Sequence, residues 1–116
     1  MSNVRELIYT DEFVEFYSAQ SDKIKTKYDY IIQIMRTQYV VSSKFIKHLE
    51  NTELYEARIS LGNNEYRTIL FTIDSENFIE STRILLLNSF MKKSTKQYKS
   101  EIAKAHSILQ KYIEED

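Results

Sequence analysis

Two arginines, Arg58 and Arg67, flank the only glycine in the chain, Gly62. Around that glycine the side chains alternate between apolar and polar, which is the period of a strand. Gly62-Asn63-Asn64 between them is a turn signal, because Gly and Asn tolerate positive φ. The two arginines are therefore read as neighbours on one hairpin, serving one surface of a sheet. A guanidinium binds a phosphate or carboxylate through two parallel hydrogen bonds and keeps its proton throughout. A third basic element, Lys92-Lys93-Ser94-Thr95-Lys96-Gln97-Tyr98-Lys99, follows the last strand. Fixed cations beside a lysine-rich loop suit an anionic ligand. The plainer alternative is that Arg58 or Arg67 pairs with Glu56 or Glu65 and that the loop is simply solvated. Arg67 runs in phase with Ile69, Phe71 and Ile73, so a charge heads an otherwise apolar row and needs a partner or solvent.

Other chemistries lack their residues. With no cysteine there is no thiolate, disulfide framework or cysteine-based metal site. The two histidines, His48 and His106, are far apart in sequence, and no metal or cofactor is expected. His106 reads as structural or solvated, whereas His48, between basic and acidic segments, is a candidate contact to ligand. No glycine-rich phosphate loop, metalloprotease helix or Gly-x-Ser-x-Gly turn occurs.

The net charge of −1 does not announce a nucleic-acid binder, but its distribution is uneven. Residues 23–48 carry six Lys/Arg against one acid, and residues 81–100 carry five and none; residues 49–80 carry seven acids. A nearly neutral chain can thus present a basic face to phosphates. The longest apolar run, Ile84-Leu85-Leu86-Leu87, falls far short of the roughly 20 residues of a membrane helix. Together with the absence of a signal-peptide pattern and of cysteine, this points to a cytoplasmic protein with no membrane partner.

The elements that must position these residues follow from periodicity. Val4–Tyr9 reads as a first strand, and Thr10, Asp11 and Glu12 as the start of a short helix. Ser21 and Asp22 begin a second helix with a stripe of Ile24, Tyr28, Ile31, Ile32, Met35 and Tyr39, ending near Val40 and Val41. Residues 42–52 read as an irregular connection. Strands follow from Leu54, over Tyr66–Ile73 and over Phe78–Phe90, the last buried on both faces. A final helix over about 98–114 carries Ile102, Ala105, Leu109 and Ile113. With no proline and no linker, residues 1–116 are expected to form a single α+β domain of order β-α-α-β-β-β-α, its helices packed on a small antiparallel sheet.

Three segments in this order carry a resemblance: Leu54-Tyr55-Glu56-Ala57-Arg58-Ile59, Tyr66-Arg67-Thr68-Ile69-Leu70-Phe71 and Leu86-Leu87-Asn88-Ser89-Phe90-Met91-Lys92-Lys93. The chain resembles the RelE/HigB superfamily, in its phage-derived HigB-like branch, over residues 4–113. There are three departures: Ala57 replaces the usual leucine, Glu56 matches the HigB-like pattern but sits where the RelE branch has lysine, and the chain is slightly acidic where many relatives are strongly basic.

The resemblance implies a toxin of a type II toxin–antitoxin pair that cuts mRNA, usually on the ribosome, without a cofactor. It implies that Arg58 contacts the scissile phosphate and Arg67 stabilises the transition state. Lys92 and Lys93 would hold RNA or, for Lys93, assist the leaving group, and Tyr98 lies near the place of a catalytic tyrosine. Lys96, Lys99 and His48 are read as further RNA contacts. The implied reaction is attack of a ribose 2′-hydroxyl on its own 3′-phosphate, in which fixed cations stabilise growing charge. The implied partners are mRNA, the ribosome and a cognate antitoxin, of helix-turn-helix type. The alternative is a RelE-like module that has lost cleavage and acts through protein contacts or regulation.

Overall fold

Gly62 adopts φ of +61° and, with Asn63, closes a two-residue turn between Leu61 and Asn64. This hairpin is the centre of the computed structural model, which describes residues 3–115. Met1, Ser2 and Asp116, at the ends of the expected single domain, lie outside the described residues. In chain order the elements are β1 (Glu6–Tyr9), α1 (Asp11–Ser18), α2 (Asp22–Thr37), β2 (Ile46–His48), β3 (Leu54–Leu61), β4 (Asn64–Thr72), β5 (Arg83–Met91) and α3 (Thr95–Glu115). The strands form one sheet of order β1-β5-β4-β3-β2. β2 to β5 pair antiparallel, and β1 lies parallel to β5, so the α+β sheet is mixed.

Alternation along the strands sends side chains to two separate cores. Ala57, Ile59, Tyr66, Leu70, Ile84 and Leu86 pack against Phe13 of α1 and Tyr28, Ile31 and Met35 of α2. Leu54, Ile69, Leu85, Leu87 and Phe90 pack against Ala105, Ile108 and Leu109 of α3. Each such leucine or isoleucine withdrawn from water contributes roughly 1.5–3 kcal/mol before entropy is counted. The expected two-sided burial of Ile84–Leu87 holds, since all four are at most 1% exposed. β3, expected as a half-buried strand, is covered on both faces, because α3 lies over Leu54 and Glu56.

Caps place the helices where the sequence puts them. Thr10 Oγ1 accepts the Phe13 N–H at 3.1 Å, and Ser21 Oγ accepts that of Ile24 at 3.5 Å. On the α2 face, the Tyr28 hydroxyl meets Ser89 Oγ at 2.7 Å, and Thr68 Oγ1 lies 2.9 Å from the same atom, so buried hydroxyls satisfy one another. A register shift between Thr68 and Leu70 sets Leu87 and Asn88 opposite Ile69. From there Asn88 Nδ2 reaches the Glu101 carbonyl at 3.1 Å and its carboxylate at 3.0 Å, tying β5 to α3.

Four boundaries differ from expectation. The irregular connection contains β2, a strand too short for its alternation to register. α2 stops at Thr37, leaving Tyr39 68% exposed rather than in the core. Residues 78–82 are not strand: Phe78 turns inward, and Asp74 holds the following turn through Ser81, Thr82 and the Arg83 N–H. α3 begins at Thr95, because Ser94 Oγ accepts the Gln97 N–H at 3.1 Å while Gln97 Oε1 accepts that of Lys93 at 2.9 Å.

Candidate active site

The row of β3 that faces α3 runs Leu54, Glu56, Arg58, and its cross-strand partners on β4 are Phe71, Ile69 and Arg67. The pleat therefore brings Arg58 and Arg67 directly opposite each other on one face, as the alternation predicts. Between them and the apolar core stands Glu56, only 1% exposed. Its Oε2 accepts the Arg58 Nε–H at 3.0 Å. Arg67 Nε lies 3.1 Å from the same oxygen but is angled so that no hydrogen bond forms; the contact is an ion pair. The Tyr98 hydroxyl, from the first turns of α3, donates to Glu56 Oε1. One carboxylate thus gathers two guanidiniums and a phenol.

The two arginines are not equivalent. The Arg67 side chain is 7% exposed, and its Nη1 donates to the Tyr66 carbonyl at 3.0 Å and to Glu65 Oε1 at 3.3 Å. The Arg58 side chain is 34% exposed, with Nε committed to Glu56. Arg58 is the cation of the pair that a solute meets. Tyr98 has a pKa pushed far above the ordinary tyrosine range, first by burial and then by the Glu56 carboxylate it faces; Arg67 and Arg58 oppose the shift only in part. In this arrangement Tyr98 is a hydrogen-bond donor to Glu56.

Arg58, Tyr98 and Glu56 open into a cleft of about 250 Å³, whose other wall includes Lys47, His48 and Thr52. That volume lies below the ~300–1,000 Å³ of small-molecule pockets and suits one portion of a longer ligand. A larger groove of about 800 Å³ shares His48 and Thr52, but it contains neither arginine and is lined by Glu53, Asp74 and Glu76. Chemistry, not size, selects the smaller cleft. His48 stands between the two, its Nε2 2.7 Å from the Thr52 carbonyl and its ring 5.0 Å from that of Tyr55.

Of the lysines after β5, none lines the cleft, but Lys92 contacts one of its residues: its Nζ lies 5.3 Å from the centre of the Tyr98 ring, and its N–H binds the Glu65 carbonyl at 2.7 Å. Lys93 is drawn toward α3 by its backbone bond to Gln97, and its exposed side chain is not on the cleft wall. Lys96 and Lys99 are exposed on α3 and do not line the cleft either. The start of α3 nonetheless carries Lys92, Lys93, Lys96 and Lys99 and no acid in its first turn. That runs against the preference of a helix N-terminus for negative charge and leaves it electropositive.

Two contributors escape sequence reasoning. Lys47 is a Cα partner of Glu56 across β2 and β3, legible only once β2 is known to be a strand. Alternation offers Glu56 only as an ion-pair partner for an arginine, and its burial beneath α3 carries no sequence signal. Among the described residues no cluster of His, Asp and Glu is arranged to hold a metal ion.

Residues 15–110 match the family described as Phage derived protein Gp49-like (DUF891). The chain belongs to this family. The Gp49-like family is a RelE-like toxin family, and the match spans every residue of the cleft from Lys47 to Ile102. No curated protein and no solved structure matches the chain. None of the described helices is long and apolar enough to cross a membrane.

Proposed function

We propose that this Gp49-like protein is the HigB-type toxin of a type II toxin–antitoxin pair and cleaves mRNA, on the ribosome, to inhibit translation. The observation that carries this reading is the Arg58 guanidinium: half-buried, anchored through Nε, and open at one edge to a cleft that also holds the Tyr98 phenol. In the reaction a ribose 2′-oxygen attacks the adjacent phosphorus and the 5′-oxygen leaves, giving a 2′,3′-cyclic phosphate and a 5′-hydroxyl. Arg58 stabilises the charge that grows on the phosphate oxygens, with Arg67 adding its field from beneath. Two protons must move. The 2′-hydroxyl proton passes to His48, and Lys92, whose Nζ lies over the Tyr98 ring, supplies one to the leaving oxygen. Lys96 and Lys99 draw the RNA strand toward the cleft. The ribosome orients the substrate, a contribution that a shallow site cannot make alone. A helix-turn-helix antitoxin covers the basic rim, and the cytoplasm is where mRNA and antitoxin are met.

The second reading, a RelE-like module without cleavage, is favoured by the near-complete burial of Arg67 between Glu56 and Glu65. Induced expression of wild type and Arg58→Ala separates the two. Growth arrest with new transcript ends for wild type, and neither for the variant, supports the nuclease. Wild type that leaves transcripts intact while still binding a partner supports the module.

A further inference from the structure

We infer that Glu56 is the positioning residue of the cleft, setting the direction of Arg58 and joining α3 to the sheet at the point where substrate would sit. The inference rests on the nuclease reading for its consequence, but not for its geometry.

A carboxylate 1% exposed is costly unless its oxygens are all engaged. A leucine in the row with Leu54, opposite Ile69, would fill that space without the cost. The manner of engagement points to a task beyond charge neutrality. A structural arginine–carboxylate pair is commonly bidentate, consuming two N–H groups of the fork. Glu56 instead takes Arg58 through Nε alone, at 3.0 Å. Among the described residues the Arg58 Nη groups have no hydrogen-bond partner, so on a side chain 34% exposed they are left for a ligand while Nε is held. Oε2 is also shared with Arg67. Glu65 also pairs with Arg67, and Glu50 lines the cleft, so the cations left to face a phosphate are the open Arg58 and Lys47 on the opposite wall. Oε1 holds the Tyr98 hydroxyl, which connects the second wall of the cleft to the same carboxylate. Arg58, Arg67 and Tyr98 thus all contact one side chain.

The test uses the intact protein. In wild type, the Arg58 Nε–H observed by nuclear magnetic resonance exchanges slowly with water, and added inorganic phosphate perturbs the Nη signals more than Nε. A freely exchanging Arg58 Nε–H overturns the inference without any variant being made. Glu56→Gln keeps the shape and removes the charge. It should speed Nε–H exchange, lower the pH at which the Tyr98 phenol ionises (followed with 13C-labelled tyrosine and assigned with Tyr98→Phe), and reduce kcat on the order of 100-fold with KM changed far less. Glu56→Asp keeps the charge and withdraws it by one methylene. It should be nearly as slow as Glu56→Gln if position matters, and near wild type if only charge does. An unmoved Tyr98 titration in Glu56→Gln, or wild-type turnover in Glu56→Asp, contradicts the inference. If wild type cuts no RNA, the nuclease reading fails, while exchange and titration still decide the role of Glu56.

Discussion

Arg5 and Arg67 are both buried, and their surroundings differ in kind. Arg5 is 2% exposed and meets no carboxylate among the described residues. Its five N–H groups reach five backbone carbonyls: Met35, Gln38 and Tyr39 at the end of α2, and Phe78 and Ile79 in the turn before β5. Its guanidinium carbon also lies 4.3 Å from the centre of the Phe78 ring. A cation there suits the negative end of the α2 dipole. Burial lowers its pKa, but an arginine retains its charge under such a shift. Arg67 is 6% exposed and is neutralised by Glu56 and Glu65, with a second arginine, Arg58, open to solvent beside it. Carbonyls that surround a guanidinium use all of its donors and make a clamp. Two guanidiniums that share a carboxylate, one of them open to solvent, leave spare donors on the open one and make a site. The comparison separates structure from function more sharply than burial does.

The largest expected effect is at the open cation. Arg58→Ala should lower cleavage by about 100- to 1,000-fold, the usual loss for a donor to transition-state charge, with little change in unfolding midpoint. Purified protein, ribosomes and a defined mRNA measure it, and the contrast breaks if the variant is as active as wild type. Arg5→Met should do the converse. Orphaning several carbonyls should cost roughly 3 kcal/mol or more in urea unfolding, with cleavage per folded molecule preserved. A stable Arg5→Met protein would remove the clamp from the comparison.

A smaller effect sharpens the cleft's rim. Replacing Lys92, beside Tyr98, with Gln should weaken RNA binding more than replacing the exposed Lys99. For every phosphate no longer neutralised, the slope of log affinity against log salt should lessen by roughly 0.7. Equal effects would mean that the lysines act only as a diffuse field. The smallest effect is at Asp74. Its carboxyl is held well below the ordinary range by the Ser81 hydroxyl first, then by Thr82 and the Arg83 N–H. A depressed folded pKa contributes stability above the unfolded value of about 3.9, lost as pH falls toward the folded one. Asp74→Asn should therefore flatten the decline in stability below about pH 5 and leave RNA cleavage unchanged; an unaltered acid limb would exclude that carboxyl as its source.

Alternation and turn chemistry make the site's core legible. Gly62, Arg58 and Arg67 can be placed on one hairpin because period two and a glycine turn fix register locally. Ser21 and Thr10 announce helix starts for similar local reasons. What stays hidden depends on tertiary packing. Arg5 looks like one more charged residue near a terminus, since its acceptors lie about 30 and 73 residues away along the chain. Glu56 alternates like any solvent-facing strand residue, and only α3 covering it makes it a hub. Lys47 needs the three-residue strand β2. By its composition the lysine segment resembles a loop as far as Tyr98, although Ser94 and Gln97 form a helix-start signature. That reading sets Lys93 nearer the chemistry than its side chain lies.

The chemical ends of cut transcripts test the central claim most directly. Ribosome complexes stalled on a defined message, treated with wild type, should carry a 2′,3′-cyclic phosphate upstream and a 5′-hydroxyl downstream of the break, with neither formed by Arg58→Ala. Intact message, ends bearing 3′-hydroxyl and 5′-phosphate, or identical breaks from the variant would contradict an Arg58-centred ribonuclease.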